Sequence, residues 1–316
     1  MVARTDLARR VRQPPCFIGM VLHPERDATH VVRAVLRWAR ANGARVLLAP
    51  DDALRLAAPG IVTVPTNQIA LGSDLLLAAG GDGTVLRAMR LAARRGIPVL
   101  AVNMGRLGYL TELELGQVES GLAAIARGDF TVEPQTALRV QARRAGPLLA
   151  FNDVVVSRRR GQSQAVIDLR IDGDLFVRHA GDGLIVSSPA GSTGYGFSAG
   201  GPIMSPRLTA LVVTPLAPHA AFNRSIVLSP TEAVSLEVLA DSSSLALEID
   251  GRENVDVPPG SHLTVEAVPH AGSAIRLGRS KFADNARRRL GIEEAGELRA
   301  GDSDGRLSDA LPLTRS

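Results

Sequence analysis

The stretch that decides the fold is Asp74-Leu75-Leu76-Leu77-Ala78-Ala79-Gly80-Gly81-Asp82-Gly83-Thr84. Its first part, Leu75 to Ala79, is apolar without interruption, which predicts a strand buried on both faces of a parallel sheet. A helical pattern starts at Thr84 and ends before Gly96. We therefore expect an aspartate flanked by glycines in the turn between a strand and a helix.

This junction suits a phosphate-binding site. Glycines let a ligand approach the backbone closely, and the free N–H groups at a helix start attract a phosphate. Asp82 would repel a phosphate, so its predicted role is to hold a metal ion or to accept a proton from a hydroxyl beside the phosphate. An ordinary turn stabilised by its aspartate explains the same residues, and the pattern alone does not decide between the two.

Length and composition restrict the class of protein. The chain has 316 residues, of which 45% are hydrophobic and 22% charged, and this is enough for two globular domains. No apolar run approaches the roughly 18 residues that span a bilayer, and the Arg-rich N-terminus lacks the apolar core of a secretory signal. Cys16 is the only cysteine, which excludes internal disulfides and fits a reducing compartment. We therefore expect a cytoplasmic protein that does not bind membranes.

The positive charge restricts how a phosphate could be bound. The net charge is +4, yet Lys281 is the only lysine. The motif Gly-x-x-x-x-Gly-Lys-Ser/Thr is therefore absent, as is the strand lysine of protein kinases. Backbone N–H groups, arginine or a metal ion must bind any phosphate. The basic residues are dispersed and aromatic residues are only 3%, so nucleic acid is not an expected partner.

The pattern of apolar and polar residues changes near residue 130 and predicts two domains. From 15 to 130, strands alternate with helices, which predicts a Rossmann-like α/β domain whose parallel sheet binds ligands at the carboxyl ends of its strands. From 131 to 277, short alternating segments separated by Gly and Asp predict a mostly-β domain. Residues 1–14 are expected to be disordered, 278–290 to form a closing helix, and 291–316 to be a solvated tail.

The element bounds follow from the same patterns. In the first domain, strands are predicted at 16–22, 45–49, 61–64, 75–79 and 99–103, and helices at 27–42, from 84 onward and at 117–127. In the second domain, strands are predicted at 138–143, 151–157, 165–171, 175–177, 210–214, 225–228, 234–239, 245–250, 262–268 and 274–277.

A second glycine cluster, from Gly181 to Pro202, interrupts the β domain. Its glycines alternate with serines, a threonine and Tyr195, which together offer close backbone approach, hydrogen bonds and a ring that can stack on a base. A flexible linker is not favoured, because the apolar strand Leu184–Val186 lies within the cluster. We therefore predict a second binding loop here.

Five segments, in this order, resemble the NAD kinase family: GGDGT at 80–84, NMGRLGYLTE at 103–112, FNDVV at 151–155, DGLIVSSPAGSTGYGFSAGGP at 182–202 and TPLAPHAAFNRSIVLSP at 214–230. The resemblance covers most of residues 70–260. Diacylglycerol kinases, sphingosine kinases and phosphofructokinases share motifs similar to GGDGT. The block at 182–202, combined with Asn152-Asp153, is much more specific.

The resemblance implies that the γ-phosphate of ATP is transferred to the 2′-hydroxyl of the adenosine ribose of NAD, giving NADP. It also implies a divalent metal ion such as magnesium, whose ligands are unknown. Members of the family are typically homodimers or homotetramers in which a partner subunit helps to complete the site.

The resemblance also implies roles for single residues. Asp82 would act on the 2′-hydroxyl, Gly83 would contact the dinucleotide, and Asn152 and Asp153 would read its adenine and ribose side. Arg87, one turn into the helix, is placed to meet a phosphate. The other predicted dinucleotide-binding residues are Asp182, Thr193, Gly194, Tyr195, Gly196, Phe197 and Ser198.

Three departures from the family pattern keep alternatives open. Ala190 and Gly194 stand where the family usually has the first Thr and the Ala of Thr-Gly-Ser-Thr-Ala-Tyr, and Asp153 replaces the commoner Glu. Two other functions therefore stay under consideration at this point. One is a lipid kinase of the diacylglycerol type, which shares GGDGT, and the other is a non-catalytic dinucleotide-binding regulator.

Overall fold

The computed structural model describes residues 14–56, 58–105, 108–142, 146–219, 223–278, 282–283 and 286–287. Within them the predicted fold class is confirmed: an α/β N-terminal part is followed by a β-rich C-terminal part. Of residues 1–14, which were predicted to be disordered, 1–13 lie outside the described residues, as does the predicted tail at 291–316. Of the predicted closing helix at 278–290, residues 282–283 and 286–287 are described and helical, and Gly278 is described and is not helical.

The N-terminal part is a parallel sheet covered by helices. Its strands pair in the order β5-β4-β1-β2-β3. Every residue of the two strands at 75–80 and 99–103 is buried, as the apolar pattern predicts. The strands are β1 (Phe17–Leu22), β2 (Arg45–Leu48), β3 (Ile61–Thr63), β4 (Leu75–Gly80) and β5 (Val99–Asn103), and the helices are α1 (Thr29–Ala41), α2 (Pro50–Leu56), α3 (Asp82–Ala93) and α4 (Val118–Arg127).

The helices bury both faces of this sheet. Helices α1 and α4 share one apolar core with alternate residues of β1, β2 and β4, and α3 shares a second core with the other face. Because the strands are parallel, the chain segments that follow β1, β4 and β5 emerge at one edge of the sheet. That edge carries the glycine-rich junction. Among the described helices, none has the length and apolarity needed to cross a bilayer.

The C-terminal part is built from antiparallel strands. One six-stranded sheet has the order β13-β12-β11-β8-β15-β16, and it packs over a core of aliphatic side chains against the remaining strands. The strands are β6 (Thr131–Ala142), β7 (Gly146–Ala150), β8 (Asp153–Arg158), β9 (Ala165–Ile171), β10 (Asp174–Gly181), β11 (Gly183–Ser187), β12 (Leu211–Leu216), β13 (Ile226–Leu228), β14 (Val234–Val238), β15 (Leu245–Ile249), β16 (Arg252–Val257) and β17 (His262–Arg276).

The two parts share one sheet. Strand β17 pairs with β6 along most of its length and with β5 in parallel at Ala274 and Val99, so the parallel sheet continues into β17-β14-β9-β10. The separate strands predicted at 262–268 and 274–277 are therefore a single strand with an irregularity between Val268 and Gly272. The core of the β-rich part is thus attached directly to the strands that carry the glycine-rich junction.

The predicted helix start at Thr84 was wrong by two residues. Helix α3 begins at Asp82, and Gly81 is its N-cap with an extended backbone. A carboxylate in the first turn of a helix is stabilised by the helix dipole, so the aspartate is part of the helix and not of the turn. Most other predicted ends differ by one or two residues, as frayed ends do. The strand predicted at 138–143 is longer, since β6 begins at Thr131 and pairs with β17 from there on. Strand β10 extends to Gly181 because it pairs with the whole of β9, and the strands β7 and β16 were not predicted.

Candidate active site

The carboxylate of Asp82 is held by the loop that follows β5. The backbone N–H groups of Tyr109 and Leu110 donate to its two oxygens, each at 3.1 Å. An ideal Cβ placed on Gly108 would lie 2.2 Å from Asp82 Oδ1, so this close approach requires glycine. Asp82 itself is only partly buried and Gly83 is exposed. The carboxylate is thus oriented by backbone groups while it stays partly exposed.

The second glycine cluster is an ordered element. After β11, residues Ala190–Thr193 form a 3-10 helix, and Tyr195–Ser198 form the short helix α5. Gly191 packs on the backbone of Asn152, since an ideal Cβ would lie 2.0 Å from the Asn152 carbonyl oxygen. Ser188 fixes the same contact, because its N–H donates to that carbonyl at 2.8 Å. The cluster and the Asn152-Asp153 pair are therefore adjacent.

Around this contact, the predicted dinucleotide-binding residues differ in accessibility. Tyr195 and Phe197 expose 48% and 39% of their surface, so both rings are available for stacking. Ser198 is exposed and Gly196 is buried. Thr193 is partly buried, and its hydroxyl donates to the Ala190 carbonyl at 3.2 Å.

Asp153 is buried beside the second glycine cluster. Burial, followed by the charges of Asp250 and Glu248, raises the pKa of its carboxyl to about 7, while the N–H of Tyr195 opposes the shift. Beside it, the buried Oδ1 of Asn152 accepts no hydrogen bond from the described residues. A protein rarely leaves such an atom unpaired. The pair therefore presents an acceptor for a ligand donor and a carboxyl that changes charge near neutral pH.

Asp250 connects the Asn152-Asp153 pair to helix α3. Its carboxylate accepts the backbone N–H groups of Phe151, Asn152 and Asp153 and forms an ion pair with Arg90. The Asp250 side chain is fully buried. One carboxylate thus joins the helix that carries Asp82 to the backbone of the Asn152-Asp153 pair.

A cleft lies between the loop that holds Asp82 and the second glycine cluster. Tyr109 and Leu110, which hold Asp82, line one side, and Ala190 and Thr193 line the other. Its polar floor is a buried network in which Arg276 contacts Glu112 at 3.4 Å and Glu133 at 2.9 Å. The cleft is therefore shared between the glycine-rich junction and the second glycine cluster.

Arg87 faces another part of the sheet edge. Its guanidinium donates to the Leu22 carbonyl, and it lines a cavity with Asp52 and Arg55. Burial lowers the pKa of Arg87 and raises that of Asp52. On helix α3, Arg87 is five residues from Asp82, a rotation of about 140° at 3.6 residues per turn. Its contact with a phosphate stays a prediction.

Asp182 is remote from the cleft within one chain. It precedes β11, whose other end, Ser187, pairs with Asp153. At about 3.3 Å per residue, Asp182 lies roughly 16 Å along the strand from Ser187. Its carboxylate pairs with Arg158 at 2.5 Å and is partly exposed. The fold thus places Gly194 and the backbone N–H of Tyr195 beside the Asn152-Asp153 pair and leaves Asp182 at the far end of the strand.

Several site residues carried no recognisable signal in the sequence. The N–H groups of Tyr109 and Leu110 are backbone atoms, and their use depends on the path of the loop. Asp250 precedes a glycine in a hairpin turn and has a positive φ of 49°, which is typical of a turn aspartate. Nothing in the pattern indicates that its carboxylate turns inward toward Arg90.

The residues present are compatible with a magnesium ion that is carried mainly by phosphates. Within the described part of the chain, no group of three or more His, Cys, Asp and Glu side chains converges as metal ligands. Mg²⁺ commonly uses one or two carboxylates together with substrate phosphates and water. Asp82 is the carboxylate at the helix start, and each of its oxygens accepts one of the N–H groups of Tyr109 and Leu110.

The fold and this cleft together define the class of the protein: an α/β part with a glycine-rich helix start, joined to a β-rich part that carries a second glycine cluster. The sequence profile of the ATP-NAD kinase N-terminal domain matches residues 18–130, and that of the ATP-NAD kinase C-terminal domain matches 151–277. The chain belongs to the ATP-NAD kinase family.

Similar proteins agree with this assignment. NAD kinase 1 of Streptomyces avermitilis is 33% identical over 94% of this chain and 92% of its own length. The NAD kinase of Mycolicibacterium paratuberculosis is 36% identical over 88% of this chain and 96% of its own. A yeast NADH kinase solved with NADH has a TM-score of 0.79 at 22% identity, covering 93% of this chain and 90% of its own. An Archaeoglobus fulgidus NAD kinase solved with ATP has a TM-score of 0.68 at 24% identity, covering 88% and 100%.

Proposed function

We propose that this chain is an NAD kinase that transfers the γ-phosphoryl group of ATP to the 2′-hydroxyl of the adenosine ribose of NAD. The observation that carries this proposal is the Asp82 carboxylate, which two backbone N–H groups orient at the start of α3. The family membership and the names of the relatives support the same reaction.

The reaction requires positioning more than covalent chemistry. The ribose 2′-oxygen attacks the γ-phosphorus and forms a new P–O bond. The bond from the γ-phosphorus to the β–γ bridging oxygen breaks, and its electron pair stays on the β-phosphate of ADP. Asp82 orients the hydroxyl and accepts its proton, a contribution of typically about 10²–10⁴ in rate. A bound magnesium ion would neutralise charge on the triphosphate.

The Asn152-Asp153 pair and the second glycine cluster bind the dinucleotide in this proposal. The unpaired Oδ1 of Asn152 accepts a donor from the adenosine, and Asp153 contacts the ribose side. Tyr195 and Phe197 offer exposed rings for stacking, while Gly194 and Gly196 let the ligand approach the backbone. Gly83 lies exposed beside Asp82 and contacts the same ligand. Thr193 and Ser198 supply hydroxyl groups.

We also propose that the working enzyme is a homodimer or homotetramer located in the cytoplasm. Asp182 lies too far along β11 to reach the cleft of its own chain, which supports a site completed by a partner subunit. The single cysteine, Cys16, suits a reducing compartment.

The test is NADP formation from NAD, ATP and magnesium by the purified chain and by Asp82→Asn. We expect the substitution to lower kcat by at least about 100-fold, because Asn accepts no proton. The dissociation constant for NAD, from calorimetry, should stay within about threefold. Asp129→Asn, a matched change of an exposed aspartate, should leave kcat unchanged.

Other outcomes would identify the alternatives. Folded wild-type chain that binds NAD tightly without turnover, with any metal ion or phosphate donor, would support the non-catalytic regulator. Phosphate incorporated into lipid vesicles and not into NAD would support the lipid kinase. The same assay, run with polyphosphate and with NADH, identifies the donor and the acceptor.

A further inference from the structure

The loop after β1 carries an arginine across the carboxyl end of β4. Arg26 Nη1 donates to the carbonyl oxygen of Met104, which directly follows β5, at 2.8 Å. The sheet order is β5-β4-β1. A side chain that reaches from the loop after β1 to the residue after β5 must therefore pass in front of β4, where Gly81 caps helix α3.

This crossing is tied to the glycine-rich junction on both sides. The N–H of His23 donates to the Ala79 carbonyl at 2.8 Å, and the N–H of Met104 donates to the Gly80 carbonyl at 3.2 Å. An ideal Cβ on Gly105 would lie 1.8 Å from Arg26 Nη1, so only glycine leaves room for the guanidinium at this place. The position of Arg26 is therefore specified by two loops, and both are anchored to β4.

The charge of Arg26 is available for a ligand. The residue is exposed, and within the described ranges it forms no ion pair with a carboxylate. A guanidinium has five N–H donors, and the Met104 carbonyl uses one of them. The nearby Arg55, in contrast, is paired with Asp52 at 2.9 Å. A planar, fork-shaped donor group of this kind matches phosphate oxygens.

We propose that Arg26 binds the β- and γ-phosphates of the ATP donor. The inference rests on the proposed function and adds the cation that orients the donor opposite Asp82. As the bond to the γ-phosphorus breaks, negative charge increases on the β-phosphate, and the guanidinium stabilises that charge. The chain needs an arginine for this task because Lys281, its only lysine, does not belong to either loop.

The first experiment compares Arg26→Gln with wild type on ligands that differ in their phosphates. We expect the affinity for a non-hydrolysable ATP analogue to fall about 10- to 100-fold, as for a lost charge-assisted hydrogen-bond pair. The affinities for AMP and for NAD should stay within about twofold, and Arg26→Lys should recover part of the loss. A merely structural role of Arg26 would weaken AMP and NAD to a similar extent, and that result would overturn the proposal.

The second experiment keeps the arginine and displaces it. Gly105→Ala introduces a Cβ at the position of the guanidinium, so it should reproduce the selective loss of the ATP analogue. Gly116→Ala is the matched control, because no atom lies within 4 Å of its ideal Cβ. Unchanged affinity of both Arg26→Gln and Gly105→Ala for the ATP analogue would overturn the proposal.

These binding measurements separate the two proposals. Wild-type chain that forms no NADP would reject the proposed function, yet the comparison of the ATP analogue with AMP would still report on Arg26. Active wild-type enzyme whose Arg26→Gln variant keeps the same KM for ATP would reject the role of Arg26 alone.

Discussion

Two aspartates of the predicted site are positioned in different ways. Asp82 starts a helix, is partly exposed, and is oriented by two backbone N–H groups of a neighbouring loop. Asp153 starts a strand, is 5% exposed, and lies close to the carboxylates of Asp250 and Glu248. The first is oriented by hydrogen bonds from the backbone, and the second has its charged form destabilised by burial.

The difference suits two tasks. A group that orients a hydroxyl and receives its proton must be accessible and fixed, and the amides around Asp82 provide both. A group that only contacts a ligand can be buried, provided that it becomes neutral or accepts a hydrogen bond. Substitutions around Asp82 and Asp153, and the pH dependence of stability, distinguish these two environments.

Gly108→Ala tests whether Asp82 depends on its backbone donors. The added Cβ would lie 2.2 Å from Asp82 Oδ1, so the carboxylate must move away from the Tyr109 and Leu110 amides. We expect kcat for NADP formation to fall about 100-fold, because a small displacement of a catalytic group costs about that much. Gly116→Ala serves as the control, and equal kcat values for the two variants would show that the donors are dispensable.

Arg90→Gln tests the connection between helix α3 and the Asn152-Asp153 pair. The buried Asp250 would lose its ion-pair partner and keep three backbone donors. We expect the free energy of unfolding to fall by about 2 kcal/mol, together with an increase in KM for NAD. Urea denaturation and steady-state kinetics measure the two effects. Arg94→Gln, at the exposed C-cap of the same helix, should change neither. A loss of stability without any change in KM would show that the ion pair stabilises the fold but does not position the NAD-binding residues.

The pH dependence of stability tests the environment of Asp153. Its folded pKa of about 7 lies above an unfolded value of about 3.9, so the folded state binds more protons between these pH values. The resulting stabilisation is complete below about pH 4 and is lost as the pH rises through 7. The free energy of unfolding should fall by up to about 1.4 kcal/mol per pH unit in that window.

Asp153→Asn should remove this slope, and the exposed Asp129→Asn should retain it. Urea denaturation of the three proteins across the window gives the comparison. A wild-type slope equal to that of Asp153→Asn would mean that Asp153 is charged throughout and that burial does not distinguish it from Asp82.

Gly194→Ala, which restores the residue usual in the family, should have the smallest effect. An ideal Cβ would lie 3.2 Å from the Gly191 carbonyl and 3.5 Å from Asp153 Oδ2, so a shift of a few tenths of an ångström accommodates it. We expect KM for NAD to change by less than about threefold, because such contacts involve well under 1 kcal/mol. A tenfold change in the measured KM would indicate that Gly194 sets the shape of the dinucleotide site.

Local patterns predicted most of the elements but missed β7 and β16, and they did not predict which strands pair. The apolar run of β4 is buried on both faces, as predicted, because burial in a parallel sheet requires continuous hydrophobicity. The joining of 262–268 and 274–277 into β17 was missed, since the polar residues between them also fit a turn. The pairing of β17 with both β5 and β6 depends on contacts far apart in sequence.

The sequence by itself determined the family, the fold class and the two glycine clusters, because motifs and hydrophobic periods are local properties of the chain. The tertiary structure decided which atoms meet: the amides of Tyr109 and Leu110 on Asp82, Asp250 between Arg90 and Asn152, and Arg26 across the end of β4. Each of these contacts joins segments that only the packing of strands and loops brings together.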